Sequence, residues 1–139
     1  MPAPSESRHK SLATATAVLA ALVAGALSAV VGTLLHAHVF YAGETPLPWG
    51  AVLALVFAGS LFTVAGIYAE RVWATALAGI TSYGLVAWAS LDERNRLLVS
   101  WANHEALPGP ALAGAVWMYG IAAATVVALL VCARAMRTR

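Results

Sequence analysis

Eight basic and six acidic residues are distributed over this 139-residue chain so that four long runs carry no formal charge. Those runs cover residues 11–43, 45–69, 72–91 and 106–133. A helix crossing about 30 Å of hydrocarbon at about 1.5 Å per residue needs roughly 20 predominantly apolar residues. Each run meets that length, and with 61% hydrophobic and 10% charged residues the whole chain falls in the membrane class. The pattern predicts an all-α integral membrane four-helix bundle built from two helical hairpins. Spans are expected at 12–35, 49–68, 72–91 and 111–133, forming a single transmembrane domain over 12–133. Residues 1–11, polar with two prolines, read as a disordered N-terminus, and 134–139 as a basic tail.

The spans differ in strength. Leu, Ile, Phe and Val each favour insertion by roughly 0.3 to 0.6 kcal/mol, whereas one central Arg, Lys or Asp costs about 2.5 to 3.5 kcal/mol. The third span has only Val72, Leu77, Ile80, Leu85, Val86 and Leu91 to set against Thr75, Thr81, Ser82 and Ser90. Its favourable total of roughly 3 kcal/mol would be cancelled by one central charge, which puts Glu70 and Arg71 at the interface. Only residues 69–71 separate it from the second span, so the two are expected to insert as a hairpin.

Orientation follows from the cations. With the N-terminus inside, the inner face holds Arg8, Lys10, Arg71, Arg134, Arg137 and Arg139, against Arg94 and Arg96 outside. That bias places both termini in the cytoplasm and the protein in the plasma membrane as a multi-pass protein. Phe40, Tyr41 and Trp49 fall at the outer boundary and Tyr68 and Trp73 at the inner one, as an aromatic belt requires. Arg8 and Lys10 before an apolar run also resemble a signal peptide with Ala24-Gly25-Ala26 as a cleavage site. The run of about 24 residues exceeds the usual 7 to 15 of a signal core, which favours a retained span.

No intramembrane Asp, Glu, Lys or Arg is present in these spans, so the group on which coupled carriers rely is missing. Small multidrug exporters depend on a first-helix glutamate that this chain lacks. No triad of nucleophile, base and orienter and no phosphate-binding glycine loop is recognisable, so the chain reads as non-enzymatic, without a cofactor and without a nucleic-acid partner. Cys132 stands alone, which excludes an internal disulfide and cysteine-rich zinc or iron–sulfur spacings. The remaining polar chemistry lies in the outer loops, where His36, His38 and His104 with Glu44 or Glu105 are candidate metal ligands. On a continuous helix His36 and His38 point about 200° apart, so they converge only if the chain is extended there.

Small residues recur at helical spacing. Ala17, Ala21, Gly25 and Ala29 form an i+4 row with Ser28 and Gly32 beside it. The second span offers Gly50, Ala54 and Ala58, then Gly59, Thr63 and Gly66; the third, Thr75 and Gly79; the fourth, Gly120, Ala124 and Ala128. Such rows let backbones approach closely, and van der Waals packing then drives association in lipid. They predict internal packing of the bundle, or docking on other membrane proteins or a second copy, with the lipid bilayer as the remaining partner. The segments Glu44 to Pro48 and Glu105 to Pro108 each place an acidic residue ahead of a proline that opens a returning helix, which duplication of a hairpin or chance would produce. Residues Asp92 to Trp101 are expected to form a short interfacial helix with Leu97, Leu98 and Trp101 dipping into the membrane.

The run Gly25 to Gly32-Thr33 with a following histidine, Pro48-Trp49-Gly50 at the second span, and Gly114 with Trp117 in the fourth resemble an actinobacterial family of small four-helix integral membrane proteins of unknown function. The likeness covers most of the membrane portion. Asp92 to Arg96 departs from the family's pattern. Members are often encoded near a deacetylase of mycothiol synthesis, so the resemblance implies a link to that metabolism without an activity. Two functions are therefore expected: an accessory or scaffold subunit of a membrane complex, or a small permeation or metal-handling protein using the outer histidines.

Overall fold

The computed structural model describes residues 4–91, 98–99 and 101–138, with backbone alone at 4–7. It is an all-α bundle of four helices: α1 (Pro4–His36), α2 (Trp49–Tyr68), α3 (Val72–Ser90) and α4 (Pro108–Arg137). Each is long and apolar enough to cross a membrane. α2 and α3 begin where the apolar runs predict, and α2, at 20 residues, is about 30 Å long. α1 and α4 are longer, with 33 and 30 residues. Residues 4–11, read from the sequence as disordered, continue α1, and Arg134 to Arg137 of the basic tail continue α4. Adding a turn to an existing helix costs little compared with nucleating one, so both helices run past their apolar cores.

α1 and α4 lie on opposite sides of the α2–α3 hairpin. Each packs against both members of that pair and only lightly against the other. The hairpin turn, Ala69 to Arg71, is closed by backbone bonds from Glu70 N–H to Ile67 O (3.1 Å) and from Arg71 N–H to Gly66 O (3.0 Å). This is a Schellman helix end, which requires its first residue past the cap to be left-handed. That residue is Glu70, with φ of 53°, where glycine is usual.

Between α1 and α2 the chain forms a feature that the apolar runs do not announce. Strands β1 (Phe40–Ala42) and β2 (Thr45–Leu47) pair antiparallel with Phe40 opposite Leu47 and Ala42 opposite Thr45. The two-residue turn places Gly43 at φ of 66° and leaves Glu44 at ordinary φ, as a type II′ hairpin demands. The connection from α3 to α4 contains a 3-10 turn, Trp101–Asn103, ahead of α4. Among the described residues the α1–α2 and α3–α4 connections thus differ in structure, which counts against a duplicated hairpin. The expected interfacial helix from Asp92 lies mostly outside the described residues. Within it Leu98 is half-buried against the core, with Val99 beside Gly114 of α4.

Side chains are sorted by size rather than by polarity. The buried set is mostly alanine, and among the described residues no leucine is fully buried. Leu19, Leu34 and Ile80 are exposed at 62%, 68% and 68%, and Leu12, Leu27, Val56, Val64 and Leu130 lie on the same outer surface. In water such a surface would be a large unpaired apolar patch. In hydrocarbon nothing is gained by burying leucine, and close approach of backbones becomes the attractive term. The first-span row Ala17, Ala21, Gly25 and Ala29 is buried along its whole length, so it serves internal packing. A β-carbon on Gly25 would lie 2.5 Å from the Ala78 carbonyl oxygen and 2.7 Å from Thr81 Cβ.

Candidate functional site

The largest buried side chain is Trp117 of α4. Three residues from α1 receive it. Gly32 leaves room for the indole, which a β-carbon there would overlap. Trp117 Nε1 donates to Thr33 Oγ1 at 3.3 Å, satisfying a donor that burial would otherwise strand. The ring of His36 lies nearly parallel to the indole, with centroids 6.5 Å apart and 21° between planes. Ser28, one turn below Gly32, accepts from Ser82 Oγ of α3 at 3.2 Å. These polar contacts help tie α1 to α3 and α4.

His36 therefore differs from the sequence reading. It is the last residue of α1 rather than part of the outer loop, and it is buried against Trp117. His38 and His104 are exposed. His38 meets Trp49 edge-on at 5.8 Å, and His104 stacks on Trp101 at 5.2 Å. A shared arrangement links the three: each Nδ1 donates to the carbonyl three residues earlier, at Thr33, Leu35 and Trp101 respectively. Carbonyls only accept, so each Nδ1 carries a proton. Each histidine is thus bound to its own tryptophan and its own carbonyl. Among the described residues no three His, Cys, Asp or Glu side chains come together as a metal site.

Aromatic residues at the ends of the bundle remain exposed, with Tyr68 and Trp73 at one end and Phe40, Tyr41, Trp49 and Trp88 at or near the other. Tyr41 also packs with its hydroxyl against Gly109, which fastens the β-hairpin to the start of α4.

The bundle axis is filled by Trp117, Phe62, Ile121 and Val86, all essentially inaccessible. Open space lies instead on the flank. A groove of about 680 Å³ runs between α2 and α4, lined by Leu55, Gly59, Ser60, Thr63, Gly120 and Ala124 among others. Here Gly59 and Thr63 face the groove, whereas Gly66 of the same row is buried. A β-carbon on Gly59 would meet nothing nearer than Ala124, at 3.9 Å. Gly120 differs, because the Leu55 side chain fills the space above it. Ser60 and Thr63 donate to the carbonyls of Val56 and Gly59, at 2.7 and 2.8 Å, so the groove presents no unpaired hydroxyl donor.

Comparison with protein families, curated proteins and solved structures finds no match. The site is accordingly defined by its own geometry. The spacing of Gly59, Thr63, Gly120 and Ala124 was visible in the sequence, but which rows face inward depends on how the helices rotate against one another. Trp117 as the central wedge was marked only by its place in an otherwise small-residue helix face.

Proposed function

We propose that this chain is a non-enzymatic, multi-pass accessory subunit of a membrane complex, with both termini on the cytoplasmic side of the plasma membrane. The observation that carries the reading is the α2–α4 groove. Its apolar, small-residue surface suits the close approach of one transmembrane helix from another membrane protein. A filled bundle axis and spans without charge support a structural role over passage of ions. The orientation rests on the basic residues Arg8, Arg71, Arg134 and Arg137, all exposed at the end of the bundle that holds both termini. The resemblance to small four-helix actinobacterial membrane proteins is compatible with this role and supplies no substrate.

The test is a photo-crosslinking amino acid placed at Ser60 in native membranes, with a second at Ile80 on the α3 surface as the control. A defined membrane-protein adduct from Ser60 and none from Ile80 is expected. Equal labelling of lipid alone from both positions would refute the proposal. Reporter fusions after residues 44, 70 and 105 check the orientation, with only the fusion after 70 expected to report the cytoplasm.

A further inference from the structure

At the opposite end of the bundle from the histidines, two soft donors and one unsatisfied hydroxyl converge. Cys132 and Met136 are four residues apart on α4 and therefore share a face. Their sulfurs are 3.7 Å apart, with Sγ directed at Sδ. Cys132 is fully buried and Met136 is half-buried nearer the helix end. Thr75 of α3 is also fully buried, and its Oγ1 has no hydrogen-bond partner. The point where α2, α3 and α4 meet lies over Gly66 of α2. A β-carbon on Gly66 would overlap Thr75 Oγ1 and come within 2.7 Å of Cys132 Sγ. Glycine at 66 thus lets the hydroxyl and the thiol approach one point from two helices.

We propose that Cys132 and Met136 bind a soft monovalent d10 cation, Cu⁺ or Ag⁺, with the Thr75 hydroxyl donating to the Cys132 thiolate. The ligand chemistry selects the ion: thiolate and thioether sulfur favour Cu(I) over hard cations. Ligand count excludes structural zinc, which takes four N, S or O ligands, whereas this position offers two sulfurs. A two-coordinate d10 ion holds its sulfurs roughly in line, about 4.6 Å apart at about 2.3 Å each, so the pair at 3.7 Å opens by about 0.9 Å to admit the ion. Charge points the same way. On binding, the Cys132 thiol releases one proton to solvent, the ion bonds to Sγ and Sδ, and no electron is transferred. The resulting thiolate–cation unit is neutral, so it can be held beside alanine and glycine without the desolvation cost of a net charge. The hydroxyl that lacks a partner gains one in the thiolate. Arg134 and Arg137, both exposed on the same last turns, disfavour a free cation and favour its arrival as an anionic thiolate complex. This binding site is independent of the groove and of its partner.

The test uses the full chain, purified in mild detergent with any affinity tag removed. Cu(I) is titrated anaerobically against bicinchoninate as competing chelator. The wild-type protein is expected to take one equivalent, and X-ray absorption to show sulfur neighbours of the bound copper. Cys132→Ser should abolish that equivalent, and Met136→Leu should weaken it by at least about tenfold. Thr75→Val should weaken it while leaving stoichiometry unchanged. Circular-dichroism melts of the apo variants serve as the folding check, and Met136→Leu, at a half-buried position, keeps the test open if Cys132→Ser fails to fold. The proposal is overturned if the wild-type chain takes up no Cu(I), if Cys132→Ser retains the equivalent, or if Met136→Leu binds as tightly as wild type.

Discussion

Trp117 of α4 lies over Gly32 of α1 so closely that no side chain fits between them, and its Nε1 is held by the adjacent Thr33 at 3.3 Å. This contact joins the two helices that otherwise sit on opposite sides of the α2–α3 pair. Gly32→Ala forces the indole or the helix to move, and is expected to destabilise the bundle by about 1 to 3 kcal/mol. Trp117→Ala removes the ring and leaves a cavity, at about 3 to 5 kcal/mol. Unfolding by denaturing detergent measures both. Equal stability of Gly32→Ala and wild type would place the ring elsewhere.

The hairpin turn gives a prediction of opposite sign. Glu70 adopts a left-handed backbone at an exposed position, which costs an L-residue roughly 1 to 2 kcal/mol. Glu70→Gly is therefore expected to raise stability by about 1 kcal/mol, and Glu70→Val to lower it, since branching at Cβ worsens the strain. The same unfolding series reads this. A loss of stability in Glu70→Gly would show that the carboxylate makes a contact worth more than the strain.

Ser28 and Ser82 form a buried hydrogen bond between α1 and α3. Interhelical bonds in membranes are worth about 0.6 kcal/mol on average. A double-mutant cycle with Ser28→Ala and Ser82→Ala should return a coupling energy of that size. Additive single effects would mean that the two hydroxyls do not bond.

Much of this architecture was legible in advance, for physical reasons that differ by element. α2 follows its apolar run from Trp49 to Tyr68 because, in hydrocarbon, backbone groups have no alternative to intrahelical bonds. The row Ala17, Ala21, Gly25 and Ala29 predicted close packing, and all four are buried. The strands from Phe40 to Leu47 were not foreseen, because Pro46 and a three-residue strand length give almost no period-2 signal. Burial of His36 was missed for a related reason: it depends on Trp117, which is 81 residues away (117 minus 36) in the sequence. The tight meeting of Gly66, Thr75 and Cys132 likewise involves three helices, and only the tertiary structure brings them together.

The most direct test of the proposed role compares two glycine substitutions on the two kinds of helix face. Gly25→Leu drives a side chain into the Ala78 carbonyl and should cost at least about 3 kcal/mol. Gly59→Leu enters open groove, so the bundle should melt within a few degrees of wild type while the Ser60 crosslink to a membrane-protein partner disappears. A Gly59→Leu protein that folds normally and still forms that adduct would contradict the account.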